Sequence, residues 1–179
     1  GTCWSLLSHD EYLLAATGAG LFQIDIKKNI PRKVIKDCSY VLLQSAASPE
    51  RIWVGTHEGL VSLYPDNRNG RLELEHKFKK VSREIRTIVE NKTKKPALWL
   101  GTTAGKVLRV EFPDNNNHKV TPYGKANGLP GGYVHVFEAA GQVIFATREG
   151  IYRFDEETEA FVPNNMLGDE CAGGSRGVF

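Results

Sequence analysis

Five histidines, 21 carboxylates and three cysteines are the side chains with which this 179-residue chain could do chemistry. Their spacing limits how far each could go. His9, His57, His76, His118 and His135 fall into neither an H-x-E-x-H nor an H-x3-H pattern, the spacings that place two imidazoles on one zinc ion. No serine stands in a G-x-S-x-G frame, which would expose a nucleophile on a tight strand-to-helix turn. Asp155, Glu156, Glu157 and Glu159 follow an apolar run and read as solvated acids of a polar loop rather than a glycosidase pair. Gly105-Lys106 lacks the rest of a phosphate-binding loop, and Asp114-Asn-Asn-Asn117 lacks the EF-hand order and follows Pro113, so it reads as a loop. No catalytic residue, no metal ligand and no cofactor is therefore expected. Cys3, Cys38 and Cys171 are far apart, show no C-x-x-C pairing and cannot all pair with one another. They are expected to be small buried hydrophobes.

What remains is recognition, and the elements that would position it repeat. Leu14-Ala-Ala-Thr-Gly-Ala-Gly-Leu21, Trp53-Val-Gly-Thr-His-Glu-Gly-Leu60, Trp99-Leu-Gly-Thr-Thr-Ala-Gly-Lys106 and Ile144-Phe-Ala-Thr-Arg-Glu-Gly-Ile151 share one frame, with Thr at 17, 56, 102 and 147 and Gly at 20, 59, 105 and 150. Both markers step by 39, 46 and 45 residues. Each frame reads as a hairpin. A short β-favouring run enters a turn whose Gly can take positive φ, and a second run leaves it. An apolar stretch precedes every hairpin (Trp4–Leu7, Tyr40–Leu43, Ile85–Val89, Tyr133–Phe137), and a more polar one, such as Leu72–Phe78, follows. No long stretch shows 3.6-residue apolar spacing. The chain is therefore predicted to be all-β, with units of about four antiparallel strands near 45 residues in period, as a β-propeller blade requires. The blades are expected at about 1–36, 37–80, 81–124 and 125–170, with 171–179 starting a further one.

In such blades, the turn between the second and third strands and the linker into the first strand reach the same end of the ring. The variable residues there are Ala19, His57 with Glu58, Thr103 with Ala104, and Arg148 with Glu149, joined by the linkers Asp37 to Tyr40, Ser82 to Glu84 and Asn127 to Tyr133. Loop residues on a rigid scaffold are where binding is commonly built, so His57, Glu58, Thr103, Arg148, Glu149, Tyr40, Asn127 and Tyr133 are the candidate ligand-binding set; the plainer alternative is that they are solvated turn residues. Trp53 and Trp99 share one repeat position inside an apolar strand and are expected in the core between blades, as is Trp4. Tyr40, Tyr123 and Tyr133, near the linkers, are better placed to touch a ligand.

The run Ile52-Trp-Val-Gly-Thr-x-x-Gly-Leu60 ending at Tyr64-Pro65, its echo Leu98-Trp-Leu-Gly-Thr102, and Asn127-Gly-Leu-Pro130 followed by Tyr133-Val-His-Val resemble the two-component regulator propeller repeat. The resemblance runs from about Trp4 to Pro163. The first copy departs from it with Ala16 for the small Gly and no Trp, the fourth with Phe145 and Ala146. It implies the extracytoplasmic, periplasmic sensor region of a bacterial receptor of hybrid two-component type, which binds a carbohydrate or other small ligand without chemistry and drives a kinase-type output domain. Propellers of this family usually have more than four blades, so the chain is expected to be an arc of a larger, seven-bladed type of ring, cut from a longer chain. Exposed faces of its end blades would favour self-association as a dimer. A closed four-bladed ring is the alternative fold, and a protein-binding scaffold the alternative function. A lyase- or lactonase-type propeller enzyme is a third reading, needing a metal or a His and carboxylate cluster at one mouth.

With 23 Lys+Arg against 21 Asp+Glu, the formal charge is +2. The basic residues are scattered, and the groups Lys77, Lys79, Lys80 and Lys92, Lys94, Lys95 read as solvated loop or edge positions, so no nucleic acid is expected as partner. No apolar run approaches the roughly 18 residues of a membrane span. A membrane is expected only through a span of the parent chain. Gly1-Thr2-Cys3 lacks the order of a signal peptide.

Overall fold

The computed structural model describes residues 1–91, 97–114 and 117–174. Among these residues, sixteen strands form four antiparallel sheets, each built from four consecutive strands in chain order. The first sheet holds β1 (Cys3–His9), β2 (Tyr12–Thr17), β3 (Gly20–Asp25) and β4 (Ile30–Ile35); the second β5 (Ser39–Gln44), β6 (Ile52–Thr56), β7 (Leu60–Pro65) and β8 (Leu72–Lys77). The third holds β9 (Ile85–Asn91), β10 (Ala97–Thr102), β11 (Val107–Asp114) and β12 (Asn117–Tyr123); the fourth β13 (His135–Ala139), β14 (Gln142–Thr147), β15 (Gly150–Asp155) and β16 (Ala160–Pro163). Four meandering four-stranded sheets at this period are propeller blades. Lys92, Lys94 and Lys95 lie outside the described residues, whereas Lys77, Lys79 and Lys80 are exposed as expected.

Two compact units divide the chain, Gly1–Ile88 and Val89–Phe179. In the first, Leu14, Ala16 and Leu21 of one blade pack on Leu42, Ile52, Val54, Val61 and Leu63 of the next, all buried. Strand β6 is buried at every residue, while β8 is exposed from its second residue on. That contrast explains the sequence: an inner strand has a blade on both faces and tolerates no polar side, and the outermost strand borders water. In the second unit the core is aromatic. Trp99, 1% exposed, meets Phe145 at 5.1 Å, Phe154 at 4.9 Å and Tyr123 at 5.6 Å between ring centres, spacings of favourable edge and tilted contacts. The buried Arg109 guanidinium lies 5.1 Å from the Trp99 ring and donates to Glu156 at 2.8 Å, which gives its charge both a π face and a counter-ion.

The hairpin frame has a local cause. Thr56 Oγ1 donates to the Gly59 carbonyl at 2.9 Å and accepts from the Gly59 and Glu58 amides at 3.1 and 3.2 Å, so one buried hydroxyl closes the turn. Thr17 and Thr147 repeat the bond to Gly20 and Gly150, at 2.7 and 2.9 Å. The glycines answer a second demand. At Gly59, φ is +138° and a Cβ would fall 1.7 Å from the Val81 carbonyl oxygen; at Gly150 it would fall 2.4 Å from that of Ala172. The chain segment leaving each blade crosses directly over the turn glycine.

The third hairpin differs. Gly101 pairs with Val107, whereas Gly55 pairs with Leu60, and Thr102 Oγ1 reaches the Lys106 carbonyl at 2.7 Å instead of a glycine's. One extra residue sits in this turn, with Gly105 at φ +67°. The signal was present in the sequence: an apolar residue follows the turn glycine directly in the other three frames, but Lys106 precedes Val107 here.

Candidate functional site at the turn end of the blades

Within the first unit, the turn and the linkers meet. The His57 amide donates to the Cys38 carbonyl at 2.9 Å, and its ring Nδ1 lies 3.2 Å from Glu84 of the following linker. Glu58 accepts from Lys77 at 2.5 Å, with Asp37 3.8 Å from the same ammonium. The Lys77 hydrogen bond holds the Glu58 carboxyl below the ordinary range and keeps it ionised.

Three innermost strands then contribute one side chain each from the same place. Trp4, Tyr40 and Arg86 are the second residues of β1, β5 and β9. Pairing with the neighbouring strand shifts register across Trp4 (between Cys3 and Ser5) and across Tyr40 (between Ser39 and Val41). A bulge of this kind re-aims one side chain out of the pleat. The two re-aimed rings converge with Arg86: its guanidinium lies 3.7 Å from the Tyr40 ring centre and 5.2 Å from that of Trp4, and the two rings meet edge-on at 5.9 Å. Glu84 accepts from Arg86 Nε and so links the stack to His57. The Cys38 thiol hydrogen-bonded beside it, then burial, push the Tyr40 hydroxyl up to about 12; it stays a neutral donor and acceptor at physiological pH.

The bulge also corrects one expectation. Trp4 is not core: it is 50% exposed, whereas Trp53 and Trp99 are 4% and 1% exposed as expected. An alternating pattern cannot reveal a residue that bulges out of alternation. Tyr123 is corrected in the opposite sense, being buried because it pairs opposite Val107 and meets the Phe154 ring edge-on. None of the cysteines is a buried hydrophobe either: Cys3 is exposed at a strand start, and Cys38 and Cys171 are half-buried in a linker and a short 3-10 turn. Glu84 belongs to the Ser82 to Glu84 linker named from the sequence but is not in the candidate ligand-binding set, and Arg86, two residues further on, is a binding group that the sequence reading misses.

In the second unit the candidates do not converge in this way. Tyr133 is 50% exposed, and Arg148 and Glu149 are exposed on the β14–β15 turn. Thr103 is half-buried in the longer third turn, where a Cβ on Gly105 would lie 3.0 Å from the Gly132 nitrogen. Asn127 spends its side-chain carbonyl on the Gly124 amide at 3.2 Å, bracing the 3-10 turn Lys125–Asn127. Among the described residues, no group of three or more His, Cys, Asp or Glu is placed to hold a metal ion.

An exposed indole beside a guanidinium and a neutral phenol can stack on a sugar face and hydrogen-bond its hydroxyls. No family model matches the sequence, and no curated protein matches it. Solved structures do share the fold. The extracellular domain named for one hybrid two-component system of B. thetaiotaomicron aligns at TM-score 0.67 and 18% identity, over 89% of this chain and 21% of its own. A second such domain from the same organism aligns at 0.65 and 18%, over 91% and 22%. A B. thetaiotaomicron auxiliary nutrient binding protein aligns at 0.60 and 12%, over 90% and 40%; structures bearing lactonase and phosphatase names are also similar. The chain spans about a fifth of the length of the two-component structures. The blades of this chain share their fold with these structures.

Proposed function

We propose that the chain is part of a non-catalytic, ligand-sensing propeller in the periplasmic region of a receptor with a kinase-type output, and that it forms an arc of a larger ring. The observation that carries this reading is the convergence of Trp4, Tyr40 and Arg86 from three inner strands at the turn end, with Glu84 and His57 behind them. A buried structural cluster would hide its tryptophan; here the indole stays half in water. The ligand class that fits is a carbohydrate fragment, stacked on Trp4 and hydrogen-bonded by Arg86 and Tyr40. Binding would shift the receptor between two dimer arrangements, each blade acting as a rigid lever. The neighbours' names support an extracytoplasmic sensing role, and the Cys171–Gly174 segment crossing Gly150 as Val81 crosses Gly59 supports a further blade beyond the fourth.

Indole fluorescence of the chain, followed while a panel of neutral and acidic oligosaccharides is added, tests the site. A saturable change lost in Trp4→Ala and weakened in Arg86→Gln is expected. Binding that survives both substitutions would remove this cluster as the site. Saturable binding of peptides but of no saccharide would favour a protein-binding scaffold instead.

A further inference from the structure

A second recessed site lies on the opposite, outer half of the first blade. Gln23 and Arg32 face each other across β3 and β4, and Tyr12 faces Asp25 across β2 and β3. Together with Lys28 and Arg71 these residues line a cavity of about 250 Å³. Its volume suits a ligand of the size of one sugar ring, below the range of drug-sized pockets.

The polar groups are held but not satisfied. The Arg32 guanidinium is fixed by three acceptors: Glu73 at 2.8 Å, Gln23 Oε1 at 2.8 Å and the Leu72 carbonyl at 2.5 Å. Because Gln23 Oε1 takes that bond, its Nε2 is left as a donor, and Gln23 is 2% exposed. Among the described residues, neither Gln23 Nε2 nor Arg32 Nε has a hydrogen-bond partner. Buried donors without acceptors are rare in folded proteins because each forfeits its hydration. Charge gives the sign of the missing group. Three cations line the cavity against one lining carboxylate, Asp25, which engages Lys28 at 3.2 Å; Glu73, outside the lining, engages Arg32, and among the described residues Arg71 makes no ion pair within 4 Å. An acceptor-only, negatively charged group would balance Arg71 and place an acceptor beside the two orphan donors.

We propose that this cavity is a binding site for an oxyanion, either free or carried by a ligand no larger than one sugar ring. It rests on Gln23, Arg32 and Arg71 and not on the Trp4 cluster, so either site can fail without the other.

The test is an NMR titration of the 179-residue chain at constant ionic strength with sodium glucuronate, sodium sulfate and, as the neutral control, glucose. Glucuronate or sulfate is expected to move the Gln23 side-chain amide and the Arg32 Nε–H resonances saturably, while glucose leaves them in place. Sulfate acting alone would identify a free inorganic oxyanion as the occupant; glucuronate acting at lower concentration would identify a sugar carboxylate. Arg71→Gln, on an exposed residue, should weaken binding by about ten-fold or more, the loss of one charge-assisted hydrogen bond, and Trp4→Ala should leave it unchanged. Resonances that stay fixed with both anions, that move equally with glucose, or that respond undiminished in Arg71→Gln would overturn the proposal.

Discussion

Gly59→Ala isolates the contact on which the turn end depends. The added methyl would stand 1.7 Å from the Val81 carbonyl oxygen, less than half an ordinary contact distance, and both atoms belong to backbone. Relief requires the linker after the second blade or the turn itself to move by more than an ångström. Moving the turn breaks the Thr56 hydroxyl and amide bonds to the Gly59 carbonyl, 2.9 and 2.8 Å long, worth about 1 kcal/mol each. The backbone at φ +138° adds about 1–3 kcal/mol for any residue with a Cβ. The sum, about 3–5 kcal/mol, is a large part of the 5–15 kcal/mol typical of a whole domain. Gly70→Ala is the control, because φ there is +65° and nothing lies within 4 Å of the added methyl; it should cost only about 1–2 kcal/mol. Urea unfolding of the two variants gives the difference directly. Equal losses would refute the reasoning, since the φ penalty alone would then account for both.

Other substitutions probe the remaining elements. Thr56→Val keeps shape and deletes the buried hydroxyl that closes the turn; a loss of about 1–3 kcal/mol in denaturant unfolding is expected, with Thr56→Ser recovering most of it. Trp99→Ala should cost about 3–5 kcal/mol, because the indole is buried against Phe145, Phe154 and Tyr123, and thermal unfolding would register it. Tyr40 has a folded-state pKa raised from 10.0 to about 12, so the stability it contributes is whole below pH 10 and is lost as pH rises toward 12. Tyr64, Tyr123 and Tyr152 are raised as well, so phenolate absorbance should show several late-titrating tyrosines, one of which is lost in Tyr40→Phe, and the stability of that variant should fall less steeply over the window.

The blade itself was legible in the sequence because its causes are local and periodic. Thr56 and Gly59 make their bonds within four residues of chain, and the unbroken apolar run Ile52–Val54 can only be a strand covered on both faces. His57 lies in the turn between β6 and β7 for the same reason. The cluster was only partly legible. Tyr40 is legible as a linker residue, whereas the apolar frame puts Trp4 in the core and nothing in the residue types singles out Arg86: what joins them is one strand position, the second residue of β1, β5 and β9, and the bulges that re-aim Trp4 and Tyr40 leave no mark in the alternation of residue types.

The sequence alone thus determined strand count, blade period and which strands are sealed from water, because hydrophobic alternation, turn glycines and hydroxyl caps act over a few residues. Only the tertiary structure decided that Gly59 must clear the Val81 carbonyl, that Trp4 turns outward to meet Arg86, and that Gln23 and Arg32 enclose unpaired donors. Each of these depends on the distance between segments far apart in the chain. That distance is set by how blade packs on blade, and no short stretch of residues encodes it.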